Sequence, residues 1–188
     1  MSKIRLDALD DSQYDVLKEI GNIGAGNATT ALACMLNQKI DMGVPKVNLV
    51  PFDRITDVFG SEETILAGIL LGLEGDVNGM MMFLLPESAA HNIVNTVMGT
   101  PDNTQCNFSE MEMSALSEVG NIIAGSYLSA LSALTGLTIT ASIPYTSIDM
   151  AGALLSLPAI EYGKIGDKVL LIDEIGDPLM HLLRNSAD

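Results

Sequence analysis

DVLKEIGNIGAGNATTAL, residues 15–32, is echoed 99 positions later by SALSEVGNIIAGSYLSAL, residues 114–131. Extended to Pro45 and Pro144, the two 31-residue segments superpose without a gap and are identical at 11 positions, among them Glu19 with Glu118, Gly21 with Gly120, Asn22 with Asn121 and Gly26 with Gly125. About two identities are expected by chance at ordinary residue frequencies. The chain therefore reads as an internal duplication, and the duplicated stretch decides the fold.

Both copies have the period of a helix. At about 100° per residue, Leu17, Ile20, Gly24, Ala28, Ala31 and Met35 fall in one stripe, as do Leu116, Val119, Ile123, Tyr127, Ala130 and Leu134. These stripes are the expected core faces. Opposite them lie Asp15, Glu19, Asn22 and Gly26 in one copy and Ser114, Glu118, Asn121 and Gly125 in the other, all expected to face solvent. Glu and Asn at i and i+3 are neighbours, about 5–6 Å apart at Cβ, so each helix displays a carboxylate beside a carboxamide. An exposed Glu and Asn on one helix is ordinary surface. Two drifted copies that keep Asn and Gly where Ala would favour the helix by up to about 1 kcal/mol point to a use for those residues. Bare backbone at Gly26 and Gly125 would admit a partner closely.

Working outward, Asp10 with Gln13, and Ser109 with Glu112, read as capping boxes that start helices at about Asp11 and Glu110. The first helix is expected to run to Leu36, and the second to about Ala133, stopping near Gly136. After each helix the period changes to two, over Lys39–Phe52 and Leu137–Ile148, and each strand carries its proline, Pro45 or Pro144, which confines it to an edge or a bend. Asp53–Phe59 reads as a helical turn. Thr64–Leu73 and Met80–Leu85, joined by GDVNG, read as a buried hairpin whose core takes in Met80, Met81 and Met82. A helix at Glu87–Met98 sits between Pro86 and Gly99. Ala153–Tyr162 and Lys168–Ile175, joined by GKIGD, are expected to repeat the hairpin. The result is an α+β fold: a six-stranded, mainly antiparallel sheet with two related long helices on one face. It forms one pseudo-symmetric domain over residues 1–188, with repeats at about 11–85 and 109–175 and a tail at 176–188.

Composition excludes several classes of function. The net charge is −15, which repels nucleic acid and anionic membrane. No apolar run reaches the length of a membrane span, and the charged start MSKIRLDALDD is not a signal peptide, so a cytoplasmic location is expected. Cys34 and Cys106 are too few for a disulfide framework and are expected to be reduced. His91 and His181 lack ligands at metal spacing and read as surface residues. GNIGAGN lies inside a helix pattern with no Walker lysine, so it is not a phosphate loop.

The pattern Asp/Ser-x3-Glu-x2-Asn-x22-Pro, met by Asp15, Glu19, Asn22 and Pro45 and again by Ser114, Glu118, Asn121 and Pro144, resembles that of the chemotaxis phosphatases represented by CheC, CheX and FliY. The similarity covers roughly residues 12–175. It implies hydrolysis of the aspartyl phosphate on the response regulator CheY, with Glu19, Asn22, Glu118 and Asn121 as the active residues. The residue types suit that chemistry. A neutral carboxamide can hold a water in line with an anionic phosphoryl group, the task of a Gln in some GTPases. A carboxylate one turn away is better used on a cation of the partner, such as a Lys, to fix the dock. No metal site is expected on this chain, and the Mg²⁺ that neutralises charge would come with the phosphorylated partner. The resemblance admits the receptor deamidase CheD as a second partner. The other class of function it leaves open is a non-catalytic adaptor that binds CheD or a flagellar switch component through the same helices. Family members usually add a strand and a helix after the last hairpin, whereas only GDPLMHLLRNSAD follows Ile175. Lys168–Ile175 is therefore expected to be a sheet edge, shielded by Pro178–Leu183 in a monomer.

Overall fold

The computed structural model describes residues 10–37, 39, 45–100, 107–162 and 168–174. The arm at 1–9, residues 40–44 of the first post-helix strand, Cys106 with most of the connector, GKIGD, His181 and the C-terminal tail lie outside the described residues.

Two 26-residue helices, α1 (Asp11–Leu36) and α3 (Glu110–Thr135), start where their caps place them. Asp10 accepts from the Gln13 N–H at 2.8 Å while Gln13 accepts from the Asp10 N–H at 3.1 Å. In α3 the Ser109 N–H donates to the Glu112 carboxylate at 2.7 Å, which satisfies a carboxylate that is itself buried. Each reciprocal box ties down helix-end donors that would otherwise have no partner. Asn37 (φ 50°) and Gly136 (φ 71°) end the helices in the left-handed region that Asn and Gly tolerate best.

The strands are β1 (Pro45–Pro51), β2 (Ile65–Gly75), β3 (Gly79–Pro86), β4 (Ile139–Ala141), β5 (Tyr145–Met150) and β6 (Lys168–Glu174). β2 is the axis of the fold. It pairs antiparallel with β3 on one side, and with β4 and then β5 on the other. Its odd residues Ala67, Ile69 and Leu71 pack with Leu116 and Ala124 of α3 and with Ala90 and Val94 of α2 (Glu87–Met98). Leu66, on the even side, packs with Ala151, Leu154 and Leu155 of α4 (Ala151–Tyr162) and with Ile55 of a 3-10 helix at Phe52–Phe59. Burial on both faces explains the unbroken apolar run LAGILLGL. Met81 and Met82 reach opposite clusters, as expected of hairpin core.

Two sequence expectations fail here. Ala153–Tyr162 is the helix α4 and not a strand, so no second hairpin forms and the sheet has helices on both faces. The six strands divide into a four-stranded sheet and the two-stranded ladder β1–β6. Lys168–Glu174 pairs along its whole length with β1, not with a hairpin partner, and among the described strands it has no second neighbour, so it is still an edge strand. The physical reason lies in AGALLSLPAIEY: Pro158 argues against a helix, yet Ala151, Leu154 and Leu155 recur at i, i+3 and i+4 and give α4 an apolar side. Its first N–H groups are satisfied by the carbonyls of Thr64 (2.8 Å) and Glu62 (3.0 Å).

The ladders joining the halves are related by exchange of the halves. Adding 99 to Pro45–Pro51 gives 144–150, in and before β5; subtracting 103 from Lys168–Glu174 gives 65–71, in β2. The pair Pro45↔Glu174 then maps to 144 opposite 71, continuous with Tyr145↔Leu70. The offsets differ by four because α4 has 12 residues where the 3-10 helix has 8.

The core stripes are rotated from expectation by about one residue. Gly21, Gly24, Ala25, Ala28, Leu32 and Leu36 are buried on α1, Gly120 is buried on α3, and Leu134 is exposed. Gly21 and Gly120, retained in both copies, are thus packing residues. A Cβ at Gly120 would sit 2.5 Å from Ile69 Cγ2, and one at Gly24 would overlap the Tyr127 ring, so α3 lies hard against β2 and α1 against α3. Burial raises the Tyr127 pKa above its usual 10.0. Its contribution to stability is therefore intact below about pH 10 and lost as the pH rises through the raised value.

The two α3 glycines should behave in opposite ways. Gly120→Ala should lower stability by about 1–3 kcal/mol through the clash with Ile69. Gly125→Ala, whose Cβ meets nothing within 4 Å, should raise it by up to about 1 kcal/mol. Urea midpoints measure both, and a common sign would mean that the α3 face is misassigned.

Candidate functional site

All four residues of the second motif line one open cleft of ≈ 630 Å³. Ser114, Glu118 and Asn121 come from the outer side of α3, and Pro144 faces them from the β4–β5 junction. Met111, Ala115, Ser117, Ala141, Ser142 and Ile143 complete the lining. The arrangement follows from helix geometry. Ser114, Ser117, Glu118 and Asn121 recur at i, i+3, i+4 and i+7, so they share a side of α3, while Leu116, Val119 and Gly120 turn inward. Glu118, Asn121 and Gly125 are exposed, and Gly125 leaves open space beside the motif.

The wall opposite α3 is a one-residue bulge. Ala141 pairs with Leu73 and Tyr145 with Leu70, so Ser142, Ile143 and Pro144 oppose only Leu71 and Gly72. Pro144 cannot donate to a ladder, and the bulge accommodates it. The Ser142 N–H donates to the Gly72 carbonyl at 2.9 Å, the Gly72 N–H donates to Ser142 Oγ at 2.9 Å, and that hydroxyl donates to the Ile143 carbonyl at 3.1 Å. The wall is held through the backbone and the hydroxyl of Ser142.

The first motif is arranged differently. Asp15 and Glu19 are exposed, and Asp15 is 3.6 Å from the Lys18 ammonium, which also lies 4.3 Å from the centre of the Tyr14 ring. Asn22 does not project freely into solvent as expected: it is half-buried, and its Oδ1 is enclosed without a hydrogen-bond partner. Gly26 is half-buried as well. The backbone of Pro45 opens β1 opposite Glu174, while its side chain is outside the described residues.

Chemically, the second cleft offers a carboxylate, a carboxamide and hydroxyls beside an apolar wall, with no cation among its lining residues. Among the described residues no three His, Cys, Asp or Glu side chains gather as metal ligands. His91 is not the surface residue expected: it is buried and stacked on Phe108, ring centres 3.9 Å apart, so its role is packing. Sequence reasoning missed Met111, Ser117, Ser142 and Ile143. The signal for Ser117 was its position one turn before Asn121, and that for Ile143 was its place next to the motif proline.

The chain matches the CheC-like family twice, at residues 13–49 and 111–148. It is 42% identical over 167 residues to the CheY-P phosphatase CheC of Bacillus subtilis, covering 88% of this chain and 80% of that protein. It is 31% identical over 140 residues to the flagellar motor switch phosphatase FliY of the same organism, covering 74% of this chain and 36% of FliY. The crystal structure of Thermotoga maritima FliY superposes with a TM-score of 0.64 at 27% identity, over 75% of this chain and 70% of that one. No helix among the described residues is long and apolar enough to cross a membrane.

Proposed function

The chain belongs to the CheC-like family, and from that premise we propose that it is a phosphatase that hydrolyses the aspartyl phosphate of CheY in the cleft holding Glu118 and Asn121. The observation that carries this reading is that one cleft contains all four residues of the second motif. Asn121 orients a water in line with the phosphorus. The water oxygen bonds to phosphorus, the bond from phosphorus to the aspartyl oxygen breaks, the carboxylate of CheY leaves with the electron pair, and the proton passes to solvent. A neutral amide does this without repelling the phosphoryl oxygens, and positioning is most of what phosphoryl transfer asks of a protein. Glu118 pairs with a cation at the rim of the partner's site and sets the dock.

In this reading the Mg²⁺ that neutralises the phosphoryl oxygens comes with CheY. Chelation with EDTA should then stop hydrolysis while leaving the melting temperature of this chain unchanged, as calorimetry of the protein alone checks. A fall in melting temperature would indicate a metal site here.

The two classes of function separate in one experiment. CheY carrying a labelled phosphoryl group is incubated with and without a small amount of this protein. A phosphatase shortens the lifetime of the label over many turnovers. An adaptor binds and leaves the lifetime unchanged.

A further inference from the structure

Ile143 is 90% exposed and Met111 70% exposed, and both line the cleft that holds Glu118 and Asn121. Neither serves the core. A single exposed apolar residue is ordinary surface, but apolar side chains gathered in one place and rimmed by polar groups mark a contact site, and Met111 and Ile143 share one cleft with Ala115 and Ala141. Ile143 is also carried on the bulge fixed by the three hydrogen bonds of Ser142, so its backbone is ordered before anything binds. An exposed anchor on a rigid support loses little conformational freedom on association.

We propose that Met111 and Ile143 form an apolar docking wall that receives an uncharged, apolar side chain of the phosphorylated receiver beside its acyl phosphate, and that this wall selects which receivers the cleft accepts. The proposal rests on the phosphatase reading and adds the source of affinity to it. With a net charge of −15, long-range electrostatics oppose the approach of an anionic phosphoryl group. Attraction must come at contact, and apolar area supplies it there without a charge of either sign. A receiver is the occupant that fits. The wall and the motif are one cleft, so whatever Asn121 acts on must lie against Ile143, whereas a second copy of this chain seated there would cover the motif and bring two strongly acidic chains together.

The test uses the full chain and steady-state dephosphorylation of CheY. Ile143→Ala should raise KM on the order of tenfold, and adding Met111→Ala should raise it further, with kcat within about twofold of wild type. Ile143→Val, which keeps most of the apolar area, should restore most of the loss. Because both side chains are exposed, melting temperatures should stay within about 2 °C. A double variant with the wild-type KM overturns the proposal, as does a fall in kcat at unchanged KM. So does a wild-type dimer that Ile143→Ala dissociates without changing KM, which would assign the wall to self-association. If the wild-type chain hydrolyses nothing, the phosphatase reading fails by itself. Titration with beryllofluoride-loaded CheY then decides on the wall: weaker binding by Ile143→Ala upholds it, and unchanged or absent binding overturns it.

Discussion

Asn121→Ala should reduce kcat for CheY dephosphorylation by on the order of a hundredfold or more, with KM close to wild type, because it removes the group that orients the water and leaves the docking surface in place. Stopped-flow or label-release kinetics at saturating substrate read the effect. The fold should be indifferent to the change: Asn121 is exposed and lies on the side of α3 opposite Leu116, and such substitutions usually stay within about 0.5 kcal/mol. Asn22→Ala should cost clearly less activity, since the Asn22 Oδ1 that would hold a water is enclosed in the structure. Equal losses at the two positions would mean that the first site opens when CheY binds. Wild-type turnover by Asn121→Ala would remove the proposed mechanism.

The second large effect is on stability. Leu116→Ala should destabilise by about 2–5 kcal/mol, a large share of the roughly 5–15 kcal/mol that holds an ordinary domain together. Leu116 is 0% exposed and packs with Ala67, Ile69, Leu71, Ala90 and Val94, where α3 meets β2 and α2. The same contact aims Glu118 and Asn121 outward. Urea denaturation gives the shift in midpoint, and kcat per folded molecule should survive where the variant is still folded. A loss below about 1 kcal/mol would place this side of α3 away from the core. Glu118→Ala, two residues along, is the contrasting control, with little effect on stability and a raised KM.

Local chemistry was well legible in the sequence. Asp10 with Gln13 and Ser109 with Glu112 placed the starts of both long helices, because capping is decided within one turn. GDVNG between two apolar runs placed the β2–β3 hairpin for the same reason. What escaped depends on distant partners. Gly21 and Gly120 look like residues kept for some use other than holding the helix until Ile69 is found where the Gly120 Cβ would be. AGALLSLPAIEY is an apolar run with a proline that suits a strand or a helix, and the need to cover the Leu66 face of β2 decides for the helix. Asn22 and Asn121 occupy identical places in the repeat, yet one is half-buried and the other lines an open cleft. Spacing on one helix cannot reveal such a difference. Nor does periodicity expose Ile143, whose exposure comes from the bulge at Ser142 and Pro144.

The route of the water tests the central claim most directly. Phosphorylated CheY is hydrolysed in ¹⁸O-water by a small amount of this protein, and both products are weighed by mass spectrometry. In-line attack on phosphorus places one ¹⁸O in the released phosphate and none in the aspartate of CheY, with no phosphoryl group on this chain at any time. An ¹⁸O in the aspartate, or a phosphorylated form of this chain, would contradict the account.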